Sequence, residues 1–339
     1  MNLTEIRSQA KVKLAGVCQV CRICDGKACA GKVPGMGGIG TGSSFKHNVE
    51  ALDRYSLNLR VIHKVNEPCL EYSLFGKKLK MPVMGAAIGG GTINYNDAIT
   101  EHDLNSAIIE GCSVAGSIGQ LGEGPSLDYF RDGLEIISGN NGWGVPIIKP
   151  REQEEIIKRI KMAEEAGCCA VGIDIDAAGL INMRANGQRV EAKSLQQLEE
   201  LTKSTSLPVI LKGIMTPDEA EKAAVSGAKA IVVSNHGGRV LDCTPGTAEV
   251  LPGIANGVKG KITILIDGGI RTGYDVLKCL ALGADATMIG RPLALGAIGG
   301  GTGGVSLTLE QIYQELFVAM IMTGTAEVTT VDPAILFYD

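Results

Sequence analysis

Short apolar runs alternate with longer amphipathic stretches through most of the chain. The clearest runs are Met81–Ala87, Val145–Ile148, Leu207–Leu211 and Ile262–Ile266. Three of them carry a proline at or near the start, where a missing backbone donor costs a strand little. Because these runs are apolar throughout, they predict strands of a parallel sheet that is buried on both faces.

A second pattern predicts four more strands. A helical stretch, a glycine and a short apolar segment recur in that order at nearly regular intervals. The copies are Glu110–Ala115, Ala166–Val171, Ser226–Ile231 and Leu282–Thr287. Glycine favours the left-handed conformation that ends many helices. The stretches Arg151–Ala166 and Pro217–Val225 are typical of the intervening helices.

Eight strands that alternate with helices predict an α/β protein folded as a single closed (β/α)8 TIM barrel with an N-terminal extension. The alternative is an open doubly wound sheet, which fits the regular repeat less well. We expect two parts: a cysteine-containing N-terminal arm over residues 1–45, and a barrel domain over residues 46–339.

Charge and composition narrow the function. The chain has 339 residues, 45% of them hydrophobic, and a formal net charge of −5. The acidic balance disfavours a general binder of nucleic acid or of anionic membranes. No apolar run is long enough for a membrane span. With ten cysteines and no apolar signal stretch at the start, we expect reduced thiols and a cytoplasmic protein.

Polar residues and glycines follow the predicted strands. In a barrel of this kind, ligands bind at the carboxyl ends of the strands. In strand order these ends carry Ala86 and Ala87; Ser117; Lys149; Asp174 and Asp176; Lys212; Ser234, His236 and Arg239; Asp267, Gly268, Gly269 and Arg271; and Gly290 and Arg291. We therefore expect them to surround one ligand site.

The last two strand ends predict a phosphate site. Glycine-rich turns expose backbone N–H groups, and Arg271 and Arg291 add charged donors. Asp267 is open to two interpretations, a ligand contact or a helix cap. The segment Ser234–Arg239, which reads SNHGGR, pairs a titratable imidazole with a fixed cation that matches a carboxylate.

Three segments together resemble one enzyme family. LPVILKGI at 207–214, SNHGGR at 234–239 and DGGIR at 267–271 are similar to motifs of the FMN-dependent α-hydroxy-acid oxidases and dehydrogenases, which include glycolate oxidase, lactate oxidase and mandelate dehydrogenase. The similarity is dense over Leu207–Pro292, moderate over Met81–Asp176 and weak before residue 45. The resemblance implies FMN as cofactor and a lactate- or glycolate-like 2-hydroxy acid as substrate.

The resemblance also implies roles for individual residues. His236 would be the base, Arg239 the clamp on the substrate carboxylate and Lys212 the cation beside the flavin pyrimidine edge. Asp174 matches the carboxylate that pairs with the histidine, although Asp176 is an alternative partner. The implied cofactor contacts are Ala86, Ala87, Ser117, Lys149, Lys212, Ser234, Asp267, Gly268, Gly269, Arg271, Gly290 and Arg291. The electron acceptor would be O2 or an unidentified carrier, and the assembly a homotetramer or another homo-oligomer.

The chain departs from the family where substrate is held. Family members carry a tyrosine near the N-terminus and another after strand three. The corresponding segments here, residues 33–38 (VPGMGG) and 144–149 (GVPIIK), contain none. A second arginine after the strand-four aspartate is also missing, with Arg184 as the sole candidate. Simple lactate or glycolate oxidation therefore does not follow from the motifs.

The N-terminal arm carries Cys18, Cys21, Cys24 and Cys29 in the spacing C-x2-C-x2-C-x4-C. Three thiolates at this spacing resemble the start of an iron–sulfur ligand run, although the last interval and the missing proline do not. Four thiolates also suit zinc, and reduced thiols are the third alternative. We assign no metal to the predicted catalytic site.

Two other functions remain open at this point. One is a different FMN barrel, such as the type 2 isopentenyl diphosphate isomerase class, in which the flavin does acid/base chemistry without net oxidation. The pairing of His236 with Arg239 argues against it. The other is a non-enzymatic sensor that signals through the flavin and the N-terminal cysteines, and the missing tyrosines favour it slightly.

Overall fold

Eight parallel strands form the central sheet of the protein, with helices on its outer face. The computed structural model describes residues 1–32, 36–124 and 126–338. The strands are β1 (Tyr55–Leu57), β2 (Tyr72–Leu74), β3 (Lys77–Leu79), β4 (Val83–Gly85), β5 (Gly119–Gly122), β6 (Gly144–Ile148), β7 (Val171–Asp174), β8 (Val209–Ile214), β9 (Ala230–Val233), β10 (Thr263–Ile266), β11 (Ala286–Ile289) and β12 (Leu336–Tyr338).

The helices follow the strands in the order expected of a barrel. They are α1 (Leu3–Lys13), α2 (Ser43–Asp53), α3 (Gly91–Tyr95), α4 (Glu101–Val114), α5 (Leu127–Gly139), α6 (Gln153–Glu165), α7 (Ile181–Ala185), α8 (Leu195–Lys203), α9 (Pro217–Val225), α10 (Thr247–Val258), α11 (Gly273–Ala281) and α12 (Arg291–Thr323). The last of these bends at Gly301, whose φ of 58° is not helical.

The eight strands β4 to β11 close on themselves. Their hydrogen-bonded order is β4-β11-β10-β9-β8-β7-β6-β5, so each strand from β5 onward lies beside the next in the chain. The two ends of this series meet where Gly85 N donates to Ile118 O at 2.9 Å. The prediction of a (β/α)8 barrel is confirmed.

Both faces of the barrel strands are apolar, which explains the continuous apolar runs in the sequence. Side chains alternate between faces along a strand. In β9, Val232 packs inside the barrel, whereas Ile231 and Val233 pack under the outer helices. In β8, Ile210 points inward and Leu211 outward. The hairpin of β2 and β3 adds Leu74 and Leu79 to the inner core.

The prediction of the second barrel strand is wrong. Residues 110–115 belong to the end of α4, and the strand lies at Gly119–Gly122. Gly111 is not a helix end. A Cβ at Gly111 would lie 2.6 Å from Val305 Cβ, so this glycine allows α4 and α12 to pack closely. Gly116, with a φ of 70°, is the left-handed glycine that follows α4.

The other three helix–glycine–strand segments are confirmed. Gly167, Gly227 and Gly283 have φ values of 69°, 89° and 112°, and each follows a helix and precedes a barrel strand. The predicted helices over 151–166 and 217–225 are found at Gln153–Glu165 and Pro217–Val225.

The N-terminal residues pack against the barrel. Ala10 and Leu14, at the end of α1, belong to the same apolar core as the outer face of the strands. Lys13 Nζ donates to Ile298 O of α12 at 2.8 Å. The boundary at residue 45 stays a prediction, although α2 already begins at Ser43.

A single carboxylate links the start of α2 to the loop after β9. The N-cap of α2, Gly42, has no side chain to cap the helix. Asp242 accepts hydrogen bonds from Ser43 Oγ at 2.7 Å, Ser43 N at 3.1 Å and Thr41 N at 2.6 Å. The hydrogen bond from Ser43 Oγ and those from Thr41 hold the pKa of Asp242 well below its ordinary value of 3.8.

We predict that Asp242→Ala lowers the free energy of unfolding by about 1–2 kcal/mol, the usual cost of a lost helix cap. Because the pKa of the folded carboxyl is lowered, the stabilisation is present above pH 3.8 and disappears as the pH falls further. Urea unfolding at pH 7 measures the loss. Asp53→Ala, exposed at the other end of α2, is the control. Equal effects of the two substitutions would contradict the cap.

Candidate active site

A cleft opens at the carboxyl end of the barrel strands. It encloses about 1340 Å³, counting its open mouth, and we call it the mouth cleft. Thirteen of the residues that the sequence predicted line it: Ala86, Ala87, Lys149, Asp174, Lys212, His236, Arg239, Asp267, Gly268, Gly269, Arg271, Gly290 and Arg291. The structure therefore brings together residues that are distributed over more than half of the chain.

Strand register places the polar side chains in the cleft. Each follows an inward-facing apolar residue by two positions and so faces the barrel axis. Lys149 follows Ile147 in this way, Lys212 follows Ile210 and Asp267 follows Leu265. Asp174 follows Gly172, at which a Cβ would lie 2.2 Å from Ile147 Cδ1.

Asp174 is the centre of a buried charge cluster. Its carboxylate accepts from Lys149 Nζ at 2.5 Å and from Lys212 Nζ at 3.1 Å, and its side chain is only 3% exposed. Burial alone would raise the pKa of Asp174, but the charges around it, including both lysines, hold that pKa well below its ordinary value. Asp174 is therefore ionised, and the two ammonium groups share its negative charge.

Asp176 provides a second carboxyl group with a different protonation state. It lies on the short 3₁₀ helix Ile175–Gly179 that follows β7. Burial and the negative charge of Asp174 raise the pKa of Asp176 well above its ordinary value. Asp176 therefore holds a proton more tightly than Asp174 does.

His236 lies against both carboxyl groups. Its Nδ1 is 3.0 Å from Asp176 Oδ1 and 3.4 Å from Asp174 Oδ1. Burial lowers the pKa of His236 well below 6.5. The positive charges of Lys212, Lys149 and Arg239 also lower it, whereas the negative charge of Asp174 raises it. The imidazole is therefore neutral and able to accept a proton. Its φ of 57° is unusual for a residue other than glycine.

Arg239 provides a fixed cation on the same side of the cleft. Its Nη2 donates to Asn94 Oδ1 at 2.8 Å. Tyr95, the next residue of α3, is 7% exposed and lines the cleft. Burial raises the pKa of Tyr95, so its phenol stays protonated. Arg239, Asn94 and Tyr95 can each bind an anion or donate a hydrogen bond, and all three line the cleft.

The other end of the cleft has the donors of a phosphate site. Gly268 and Gly269 both have positive φ values, 96° and 81°, and α12 begins with its N-terminus at Gly290. Burial and the neighbouring charge of Arg271 lower the pKa of Arg291 to about 10. Among the described residues, neither arginine has a carboxylate partner, and Arg271 Nε is buried without a hydrogen-bond acceptor.

Some of the predicted contacts lie elsewhere. Ser117 precedes β5, is fully buried and donates to Val83 O, so it does not line the cleft. The misplaced second strand explains this correction. Ser234 is also buried behind the cleft, where its Oγ accepts from His236 N at 3.1 Å. Arg184 is exposed and donates to Ala178 O. Residues 33–35, which include half of the segment lacking the expected tyrosine, lie outside the described residues.

Among the cleft residues that the sequence motifs missed are Asn94, Tyr95 and Glu123. Asn94 and Tyr95 follow a glycine-rich loop, and only the fold brings them to Arg239. Glu123 follows the true end of β5, where it accepts from Arg151 Nε at 2.6 Å, Arg159 Nε at 2.7 Å and Lys149 N at 2.6 Å. A correct placement of β5 would have revealed Glu123. Nothing in the local pattern marks Tyr95.

Two carboxyl groups and the imidazole of the buried charge cluster have the donor atoms of a metal site. Ligand atoms of Asp174, Asp176 and His236 all lie within 4.8 Å of one another. However, the two lysines already neutralise Asp174, and Asp176 is protonated. A cation at this point would face two ammonium groups, so the cluster is suited to holding a proton rather than a metal ion.

Comparisons with known proteins agree with this geometry. The family model of FMN-dependent dehydrogenases matches residues 35–194 and 181–337. A 2-hydroxyacid oxidase of Dictyostelium discoideum is 47% identical, over 87% of this chain and 82% of its own length. An L-lactate oxidase of Nostoc sp. is 30% identical, over 89% of this chain and 92% of its own. A crystal structure of a mandelate oxidase superposes with a TM-score of 0.81 at 27% identity, over 100% of this chain and 98% of its own.

The closed (β/α)8 barrel and the match to the family model define the class as a flavin-dependent oxidoreductase. The chain belongs to the FMN-dependent dehydrogenase family, with 2-hydroxy acid oxidases and dehydrogenases among its relatives. FMN is its cofactor, and its enzyme class is EC 1.1. Among the described residues, no helix has both the length and the apolarity needed to cross a bilayer.

The residues present fit this cofactor. The glycine turns, the helix N-terminus and two half-buried arginines without carboxylate partners among the described residues match the charge and the acceptors of a phosphate group. Ala86 and Ala87 leave the floor of the cleft free of bulky side chains. Lys212 supplies a buried positive charge where the cleft is deepest. Burial favours its neutral form, but the carboxylates around it raise the pKa of Lys212 above its ordinary value.

We predict that Asp174→Asn and Asp176→Asn differ sharply, although they are the same change two residues apart. Among the described residues, Asp174→Asn leaves the buried Lys149 without a counter-charge and Lys212 with only Asp267 at 3.9 Å. It should lower the free energy of unfolding by about 3–5 kcal/mol. Asp176→Asn replaces a neutral carboxylic acid by a neutral amide and should cost about 1 kcal/mol or less. Urea unfolding at pH 7 with saturating FMN measures both. Equal losses would show that Asp176 is ionised.

Proposed function

We propose that this protein oxidises a 2-hydroxy acid to a 2-keto acid, with His236 as the base and Arg239 as the carboxylate clamp. One observation carries the proposal. A neutral, buried imidazole lies 3.0 Å and 3.4 Å from two carboxyl groups, in the same cleft as an arginine. A base that is neutral at rest and that has a negative charge beside it is suited to taking a proton.

The charge of the cleft favours an anionic substrate. Asp174 pairs with both Lys149 and Lys212, Asp267 lies 3.9 Å from Lys212, and Arg239 adds a third cation. The net charge of this group is positive, so it attracts a carboxylate. The planar guanidinium of Arg239 can bind both oxygens of that carboxylate. The hydroxyl of Tyr95 would then take the place of the tyrosine hydroxyls that hold substrate in other family members, although Tyr95 lies in a different part of the chain.

The residues then share the work of proton transfer. His236 takes the proton from the substrate, and the adjacent charge of Asp174 stabilises the imidazolium that forms. Asp176 keeps Nδ1 of the ring oriented, so that Nε2 is free for the substrate. FMN, when bound, would supply the oxidant that takes up the two electrons and the second hydrogen of the substrate. Lys212 contributes a fixed positive charge, which would stabilise the negative charge that the flavin gains on reduction.

The walls of the cleft favour a substrate with an apolar side chain. Ile93, Leu180 and Met183 line it opposite the charged cluster. Their position leads us to expect that lactate and longer 2-hydroxy acids react better than glycolate. A homo-oligomeric assembly, a cytoplasmic location, and the choice of O2 or a carrier as acceptor stay predictions from the resemblance.

The direct test is anaerobic titration of the purified flavoprotein with glycolate, lactate, 2-hydroxyoctanoate and mandelate. We expect at least one acid to bleach the flavin absorbance and to give one equivalent of the 2-keto acid. His236→Gln should slow the bleaching by about 10²–10⁴-fold. If none of these acids, nor a wider panel, bleaches the flavin, the proposal fails and an isomerase or a sensor takes its place.

Two arginine variants separate substrate binding from cofactor binding. Arg239→Met should raise KM by about 10²-fold, which corresponds to the roughly 3 kcal/mol of a lost charge-assisted contact, and should leave FMN affinity unchanged. Arg271→Met should weaken FMN binding and leave KM unchanged once FMN is saturating. Steady-state kinetics and flavin fluorescence titration measure the two effects. Loss of FMN from Arg239→Met would overturn this assignment.

The pH dependence of kcat/KM provides a further prediction. The base must be unprotonated, so kcat/KM falls as the pH drops through the pKa of His236. Burial lowers that pKa below its ordinary value of 6.5, so the acid limb should lie below pH 6.5, with a plateau at neutral pH. An acid limb centred above pH 7 would mean that the carboxylates raise the pKa of His236 more than burial lowers it.

A further inference from the structure

A buried phenylalanine lies at the phosphate end of the mouth cleft. Phe45 is the third residue of α2 and is only 2% exposed. Among the described residues, it belongs to none of the clusters of apolar side chains that form the core. A large ring that is buried away from the apolar core needs another explanation, and its neighbours provide one.

Both arginines of the phosphate end lie against this ring. The guanidinium carbon of Arg291 is 4.1 Å from the centre of the Phe45 ring, and that of Arg271 is 5.8 Å from it. Both distances are within the reach of a cation–π interaction, which extends to about 6 Å. Because the face of an aromatic ring carries partial negative charge, it attracts both cations.

The ring matters because few other contacts hold the two cations. Among the described residues, the side chain of Arg291 makes a single hydrogen bond, from Nε to Met36 O at 3.0 Å. Arg271 donates to the backbone oxygens of Ile270 at 2.9 Å and Cys24 at 3.3 Å. Burial, and then the neighbouring charge of Arg271, lower the pKa of Arg291. The two guanidinium groups therefore repel each other, and their attraction to the ring offsets part of this repulsion.

An aromatic ring holds an arginine differently from a carboxylate. A carboxylate would neutralise the cation and occupy its N–H groups. A ring attracts the cation but leaves its charge, and most of its N–H donors, for another acceptor. Nη1 and Nη2 of Arg291 have no acceptor among the described residues. This arrangement suits a pair of arginines that must bind a phosphate group.

Close backbone contacts fix the ring in this position. A Cβ at Gly26 would overlap the Phe45 ring, and one at Gly238 would lie 2.8 Å from Phe45 N. Both glycines have positive φ values, 80° and 76°. Ile39 N also donates to Gly238 O at 2.8 Å. The N-terminal segment and the loop after β9 thus enclose the ring and keep it against the arginines.

We propose that Phe45 is a positioning residue that holds Arg291 and Arg271 for the phosphate group of the flavin. It thereby favours FMN over a flavin without phosphate. This role rests on the assignment of the two arginines to the phosphate, and it does not depend on which acid the enzyme oxidises.

The test compares FMN with riboflavin, which has the same ring system and no phosphate. The full-length protein, freed of flavin, is titrated with each, and quenching of flavin fluorescence gives the two Kd values. Phe45→Leu should weaken FMN binding about tenfold, the size of a desolvated cation–π contact, and leave riboflavin binding unchanged. Phe130→Leu is the matched control, because Phe130 is also buried and lies 6.0 Å from an arginine, Arg159. It should leave the ratio of the two affinities as in the wild type.

A second series of variants keeps the shape of the ring and changes its charge distribution. Phe45 is replaced by phenylalanines that carry one, two and three ring fluorines, each of which withdraws electron density from the ring face. FMN binding should weaken at each step, while riboflavin binding stays constant. A residue that only fills space would show no such trend. The series therefore tests the proposal even if Phe45→Leu fails to fold.

Two results would overturn the role of Phe45. One is an equal loss of FMN and riboflavin affinity in Phe45→Leu, and the other is an FMN affinity that stays constant or rises along the fluorinated series. Arg291→Met tests the phosphate assignment itself, since it should weaken the binding of FMN and not of riboflavin. If it leaves FMN binding unchanged, the phosphate assignment and the role of Phe45 both fail. None of these measurements uses a 2-hydroxy acid, so failure of the proposed oxidation is distinguishable from either.

Discussion

The ion pairs of Asp174 with Lys149 and Lys212 set the electrostatics of the mouth cleft. One carboxylate neutralises part of the charge of two buried ammonium groups. The remaining positive charge, together with burial, keeps His236 neutral. The negative charge of Asp174 keeps a proton on Asp176. The proton affinities of His236, Asp176 and the two lysines therefore depend on one cluster of charges. Substitution of any one of these residues would change the pKa values of the others.

The barrel makes this cluster possible because it brings strand ends together. Lysine, aspartate and serine side chains would be costly to bury on separate strands. In the barrel they occupy the last inward-facing position of β6, β7, β8 and β9, so that they meet one another and remain near the open mouth. The network of Glu123 with Arg151 and Arg159 fixes the neighbouring end of β5. Substrate chemistry is therefore concentrated where the apolar interior ends.

The departures from the family have a structural counterpart. The tyrosines expected near residue 36 and after strand three are missing from the sequence, yet Tyr95 of α3, next to the Asn94 that Arg239 contacts, lines the cleft. Arg271, which also lines the cleft, donates to Cys24 O at 3.3 Å. The N-terminal segment, the part least similar to the family, thus contacts a residue of the cleft.

The sequence by itself determined the barrel and most of the charged residues that line the cleft. It could do so because apolar runs, capping glycines and strand-end residues are local patterns whose meaning does not depend on distant contacts. The tertiary structure decided the rest. In the structure the second strand lies at 119–122 and not at 112–115, because Gly111 allows two helices to pack closely and does not end a helix. It brought Tyr95 to Arg239 and Asp176 to His236, and it gave two carboxyl groups two residues apart opposite protonation states, since burial and neighbouring charge exist only once the chain is folded.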